Sequence, residues 1–81
     1  MERKDFTLKY LKFKDKVGME IRRRRKKKGM TGKDLAEKIG VSESHMLGIE
    51  QGSRKPSLKT LYLVITKGLE IGVDTFFRGL E

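Results

Sequence analysis

The stretch from Gly32 to Gly52, GKDLAEKIGVSESHMLGIEQG, constrains this chain more than any other. It reads as two short helices joined by one tight turn. Leu35, Ile39, Val41, Met46 and Ile49 recur at spacings that turn one side of each helix toward a shared interior, and the polar residues between them face out. Ala36 is small where two helices must cross closely, and Gly40 can take a positive φ without a Cβ clash. Thr31 and Ser42 stand just ahead of the two periodic segments, where a side-chain oxygen accepts from a free N–H of the first turn. Asp34, three residues after Thr31, nearly completes a capping box.

These residues resemble the helix-turn-helix family of phage-repressor (Cro-type) and xenobiotic-response-type regulators. Leu35, Ala36, Ile39, Gly40, Val41, Ser42, Met46, Ile49, Glu50 and Gly52 each stand where that family's pattern asks for their type. Outside the motif, Ile21, Arg22, Arg25 and Gly29 match the family's first helix and its end. Ser53-Arg54-Lys55-Pro56-Ser57-Leu58 matches the link into the fourth helix, and Leu69 to Phe77 the approach to the fifth. The resemblance covers about residues 16–80. It implies an all-α, five-helix, phage-repressor-like DNA-binding domain with its helix-turn-helix at about 32–51. Residues 1–15 then form an N-terminal basic and aromatic arm ahead of a helix-turn-helix domain at 16–81.

Composition bounds the function independently. Eighty-one residues make one domain with a modest core, too small for separate sensing and catalytic modules. There is no cysteine, hence no disulfide framework or thiolate metal site, and no apolar run approaches the ~20 residues of a membrane span. MERKDFTLKY has no uninterrupted apolar core of a secretory signal, so a cytoplasmic protein is expected. The net charge of +9 asks for a polyanionic partner, whether DNA, RNA or an acidic protein surface. That charge is uneven: residues 1–28 hold thirteen lysines and arginines against four acids, and residues 29–81 balance at seven each.

The first fifteen residues fit two local structures. Phe6, Leu8 and Tyr10 alternate with polar residues as in a strand, while Phe6, Tyr10, Phe13 and Val17 fall at helical spacing. Either way, an arm packing its aromatics on the domain is expected; the alternatives are a partly disordered basic tail, and an arm that pairs with a second subunit or tracks DNA phosphates. Asp15 is the candidate cap of a first main helix at Lys16–Lys28, which Gly29 ends. Val17, Ile21, Arg24, Arg25 and Lys28 share its inward side. Where Arg24 stands the family has a leucine-like residue, so the Arg24 stem is expected over apolar surface with its head in water. The resemblance also implies an ion pair between Arg25 and Glu50. The remaining cations of Arg22–Lys28 form a solvated face that adds non-specific attraction to phosphates.

The second helix is expected from Gly32 to Ile39. Its first residue in the family is usually glutamine. With Gly32 there, the backbone N–H and the helix dipole remain for a phosphate, assisted by Lys33. The third helix, Glu43 to Gln51, is the candidate recognition element. With Met46 and Ile49 inward, its period turns Glu43, Ser44, Leu47, Gly48 and Gln51 outward as base-reading residues. Ser53, Arg54 and Lys55 follow as a basic loop that in the family contacts phosphates, with Lys59 next. His45, the only histidine, is expected to pack at the edge of the helix interface.

Ser57 to Gly68 reads as a fourth helix, nearly apolar all round, with Leu58, Leu61, Tyr62, Val64 and Ile65. The chain holds one more residue between Pro56 and Leu69 than the family spacing, which predicts a register shift or bulge. The excess apolar surface, with Leu63, Phe76 and Phe77 nearby, predicts a subunit interface unless the aromatic arm covers it. Asp74 is the expected cap of a last helix, Thr75–Leu80. The expectation is therefore a DNA-binding transcriptional regulator, a repressor, acting on double-stranded DNA as a homodimer. It carries no cofactor, metal site or catalytic residues and has no membrane partner. The alternative is a protein-interaction module of the same fold, an antitoxin or a regulator's partner, that docks protein through Leu47 and the apolar fourth helix.

Overall fold

The computed structural model describes residues 3–81, with side chains from Phe6 onward. The expectations for Met1 and Glu2 lie outside the described residues. Five α-helices follow one another with no strand among the described residues: α1 Arg3–Lys27, α2 Gly32–Ile39, α3 Glu43–Glu50, α4 Leu58–Leu63 and α5 Val73–Arg78. A single π-helical turn, Val64–Gly68, continues α4.

The first helix departs most from expectation. It does not start under an Asp15 cap but runs unbroken for 25 residues from Arg3, so helical spacing prevails over the strand-like alternation. At 1.5 Å per residue it spans about 37 Å, close to the 40 Å long axis of the molecule. Phe6, Leu8, Tyr10, Leu11 and Phe13 stay exposed rather than buried in the domain, although Tyr10 and Phe13 border a groove with Pro56, Leu58 and Leu61. Asp15 instead sets its carboxylate against Gly52, at the end of α3. One turn on, Gly18 lets α1 touch the α3 backbone. A Cβ there would stand 2.5 Å from the Ile49 carbonyl oxygen and 2.7 Å from that of Glu50.

Val17 and Ile21 of α1, Leu35, Ala36 and Ile39 of α2, Met46 and Ile49 of α3, Val64, Ile65 and Leu69 after α4, and Phe76 of α5 form one buried core. The termini of α2 and α3 explain their short lengths. Thr31 Oγ1 accepts from the Asp34 N–H and the Asp34 carboxylate accepts from the Thr31 N–H, a complete capping box. Gly40 closes α2 at φ 80°, where a side chain would strain. Ser42 caps α3 by accepting from the His45 N–H. These three devices set the corner between α2 and α3.

The extra residue predicted in the fourth helix is taken up by the π turn. Ser57 caps α4, and the Leu69 N–H reaches back five residues to the Val64 carbonyl at 2.7 Å. This one-residue insertion turns Val64, Ile65 and Leu69 inward together. In α5, Gly72 rather than Asp74 is the N-cap residue, and the helix begins at Val73. Asp74 pairs with Arg78 at 2.9 Å instead, and Phe76 enters the core edge-on to the half-buried Phe77.

The cations of α1 divide by what faces them. Arg24 does not hold its head in water: Nε bonds Glu20 at 2.6 Å and Nη2 bonds the Thr75 carbonyl at 3.2 Å, tying α1 to α5. Arg23 grips the same buried Glu20 carboxylate. Lys28 is exposed rather than inward and reaches Glu70 at 3.5 Å. Arg22, Lys26 and Lys27 are the solvated face.

Candidate nucleic-acid interface

The basic and polar residues proposed for nucleic acid come from three places: the start of α2, the outer side of α3, and the loop between α3 and α4. Beyond the buried Met46 and Ile49, an ion pair fixes α3 against α1. Arg25 on α1 meets Glu50 at the end of α3 through two bonds, 2.7 Å and 2.9 Å, and its third nitrogen bonds the Met30 carbonyl at 2.8 Å. The pair is nearly sealed from solvent, with side-chain exposures of 12% and 3%. The carboxylate, through its hydrogen bonds, raises the Arg25 guanidinium above its ordinary range, so its charge is permanent.

On the outer side of α3, Glu43, Ser44, Leu47 and Gln51 are all exposed. They do not lie under any other part of the chain, and with Gly32 the first three border an open depression between α2 and α3. Gly48 departs from the expectation. It is buried, and the atoms over it belong to the Arg54 side chain, so it offers no open position on the outer face. His45 lies at the half-buried edge of α3, as expected, with its Nδ1 3.4 Å from Arg54 Nη1.

The expected phosphate-contacting residues lie at the start of α2 and after α3. Gly32 and Lys33 open α2, whose first-turn N–H groups lack intrahelical partners. Ser53, Arg54 and Lys55 are exposed in the loop, and Lys59 is exposed on the first turn of α4. Ser53 is less free than a loop serine, since its N–H and Oγ both bond the Gly48 carbonyl. Glu43 is the one acid on the outer side of α3. The outer side of α3 therefore carries exposed polar groups and the methyls of Leu47, with exposed cations at the start of α2 and in the loop that follows α3. That arrangement suits hydrogen bonding and charge neutralisation and holds no nucleophile with a base. Among the described residues no group of three or more His, Asp or Glu could hold a metal ion, and no helix is long and apolar enough to cross a membrane.

Sequence reasoning missed two contributors. Gly18 admits α3 against α1, and a glycine inside a run of good helix formers was its only signal. Glu20 anchors two arginines of the basic run; its spacing of three and four residues from Arg23 and Arg24 was the signal available.

Comparison with known proteins bears on the family and the fold. The chain is 32% identical over 59 residues to YqaE of Bacillus subtilis, named an uncharacterized HTH-type transcriptional regulator, covering 73% of this chain and 50% of that one. It is 35% identical over 46 residues to y4dJ of Sinorhizobium fredii, named likewise, covering 57% of this chain and 60% of the relative. The chain thus spans half to three fifths of these curated relatives. Among solved structures, the wild-type restriction-modification controller protein C.Esp1396I superposes with a TM-score of 0.76 at 41% identity, over 82% of this chain and 86% of that one. The same controller has been solved as a tetramer in complex with its natural 35 base-pair operator, with the same score, identity and coverage. Residues 21–66, more than half of the chain, match the family model described as Helix-turn-helix, and the chain belongs to that Cro-type helix-turn-helix family.

Proposed function

We propose that this protein is a sequence-specific DNA-binding transcriptional regulator that lays α3 in the major groove and acts as a repressor. The observation that carries this is the uncovered outer side of α3, with Ser44, Leu47 and Gln51 exposed. A helix of this diameter fits the major groove, where Ser44 and Gln51 can hydrogen-bond base edges and Leu47 can meet a thymine methyl. Glu43 can accept from cytosine. Gly32, Lys33, Ser53, Arg54, Lys55 and Lys59 stand where phosphates pass on either side. The likeness to a controller protein solved in complex with its operator supports DNA as the partner.

One such helix reads too few base pairs to select a site in a genome, so the working form is a homodimer on a two-fold-related site. Two adjoining apolar grooves support this reading. One is lined by Tyr10, Phe13, Pro56, Leu58 and Leu61, with Lys14 and Lys55 also bordering it, the other by Leu58, Leu61, Tyr62, Val73 and Phe77. In this reading the arm is the N-terminal part of α1, which brings Tyr10 and Phe13 to the subunit face.

The test is selection of bound duplexes from random DNA, followed by competition with scrambled duplexes as salt is raised. A specific regulator keeps its preference while absolute affinity falls. Loss of all binding together, with no enriched sequence, would reject the proposal.

A further inference from the structure

We propose that Gly48 and His45 are positioning residues for Arg54, holding its guanidinium against the flank of α3 instead of leaving it to a mobile loop. The inference rests on the DNA-binding reading for its use and on the free protein's geometry for its substance. Gly48 sits inside α3, where glycine is a poor helix former, and it is not among the glycines with positive φ. Backbone conformation therefore does not explain it. The occupant of the space does. A Cβ on Gly48 would stand 2.9 Å from Arg54 Cγ, 3.0 Å from Cδ and 3.3 Å from Cβ, so the arginine stem lies across the bare backbone.

Both ends of that stem are held. At its root, the N–H groups of Ser53 and Arg54 each donate to the Gly48 carbonyl at 3.0 Å. At its tip, Nη1 stands 3.4 Å from His45 Nδ1, which accepts when the ring carries its proton on Nε2. His45 and Gly48 are three residues apart and share one strip of the helix. The side chain therefore runs back from the loop toward the N-terminal half of α3, the half that meets the bases in helix-turn-helix docking. A guanidinium already fixed there loses less freedom on meeting a phosphate than a solvated loop cation does. Arg54 thus occupies the strip that the missing side chain of Gly48 leaves open.

A double-mutant cycle on the full chain tests this, using fluorescence anisotropy with the duplex enriched by selection. Gly48→Ala and Arg54→Ala should each weaken binding about three- to tenfold, and the two together should be no weaker than Arg54→Ala alone. His45→Phe, which keeps a ring but removes Nδ1, should weaken binding in the native background and not in the Arg54→Ala background. The thermal midpoint of Gly48→Ala should stay level or rise, which separates positioning from damage to α3. In the free protein, the His45 ring nitrogen resonances should move in both Gly48→Ala and Arg54→Ala. Additive losses, an unchanged affinity for Gly48→Ala, or unmoved His45 resonances would each overturn the proposal. If no duplex is enriched, it is the DNA-binding reading that fails, and the resonances alone then decide whether Arg54 is held as described.

Discussion

The Arg25 guanidinium holds both oxygens of the Glu50 carboxylate, Nε on Oε2 at 2.7 Å and Nη2 on Oε1 at 2.9 Å, and so joins the long first helix to the end of α3. Two charges nearly out of water stabilise a fold only as long as both are present. Arg25→Ala or Glu50→Ala should each destabilise by about 3–5 kcal/mol, whereas replacing both with apolar residues of similar size should be much milder. Urea denaturation of the three variants checks this. Single losses below about 1 kcal/mol would place the pair with ordinary surface ion pairs.

Gly18 works on the same contact from the other side. A methyl group there would press on two carbonyl oxygens of the α3 backbone at 2.5 Å and 2.7 Å, and backbone cannot rotate away as a side chain can. Alanine improves intrinsic helix propensity by about 1 kcal/mol over glycine, yet overpacking costs about 1–3 kcal/mol. Gly18→Ala should therefore destabilise or at best be neutral, where an unpacked helix glycine would be stabilised. A rise in thermal midpoint would show that α1 and α3 do not approach so closely.

Stability should also fall in acid. Glu20 is held below the usual carboxylate range by the hydrogen bond from Arg23, with Arg24 adding to it against the opposing effect of burial. The Thr31 N–H lowers Asp34, and Lys38 with Lys28 lowers Glu70. A carboxyl group with a depressed value in the folded state contributes its stability above its unfolded value and loses it as pH falls through the folded one. The unfolded values lie near 4, so stability should hold at neutral pH and decline progressively below about 4. Glu20→Gln should flatten that decline, as read from urea midpoints at several pH values. An unchanged slope would show that Glu20 does not carry it.

The helix-turn-helix was legible because each of its signals is local: apolar spacing, two hydroxyl caps and a glycine at the corner. The extra residue before Leu69 was legible by counting, and it became a π turn because Val64, Ile65 and Leu69 must all face the core. The start of α1 was not, since interleaved lysines and aromatics satisfy both a period of two and a period near four. Asp15 looked like a cap yet turns its carboxylate to Gly52. Gly48 was misplaced for a different reason. Its period along α3 points outward, but the chain returns after Gly52 and covers it with Arg54, a packing that no pattern within the helix encodes. Arg24 likewise found a partner on α5, the Thr75 carbonyl, that lies 51 residues away in sequence.

The two kinds of DNA contact should separate by their salt and sequence dependence. Alanine at Lys55 or Lys59 removes a flanking charge, so it should weaken binding to every duplex alike and lower the salt slope by about 0.9 for each phosphate that is no longer neutralised. Alanine at Ser44 or Gln51 removes a group from the exposed crest of α3 and should reduce discrimination at one position by about 1–3 kcal/mol while leaving the slope unchanged. Binding measured against single-base variants at several salt concentrations distinguishes them. Intact sequence choice in Ser44→Ala and Gln51→Ala would mean that α3 does not present the reading face.

The apolar face on α4 makes a prediction about assembly. Leu58 is 85% exposed and Tyr62 58% exposed, and Leu58 borders both apolar grooves. Burying one such side chain yields about 1.5–3 kcal/mol, and a two-fold interface uses each residue twice. Leu58→Asp should therefore shift the monomer–dimer equilibrium toward monomer by at least tenfold, with little effect on the fold, since Leu58 scarcely touches the core. Sedimentation equilibrium reads this directly. Leu47→Ala, which alters an equally apolar residue on the α3 crest, should leave the equilibrium alone. The Leu58 variant should also protect half-sites singly rather than in pairs in a footprint. If it dimerises like the native chain, the subunit contact lies elsewhere and the exposed α4 face is open to another partner.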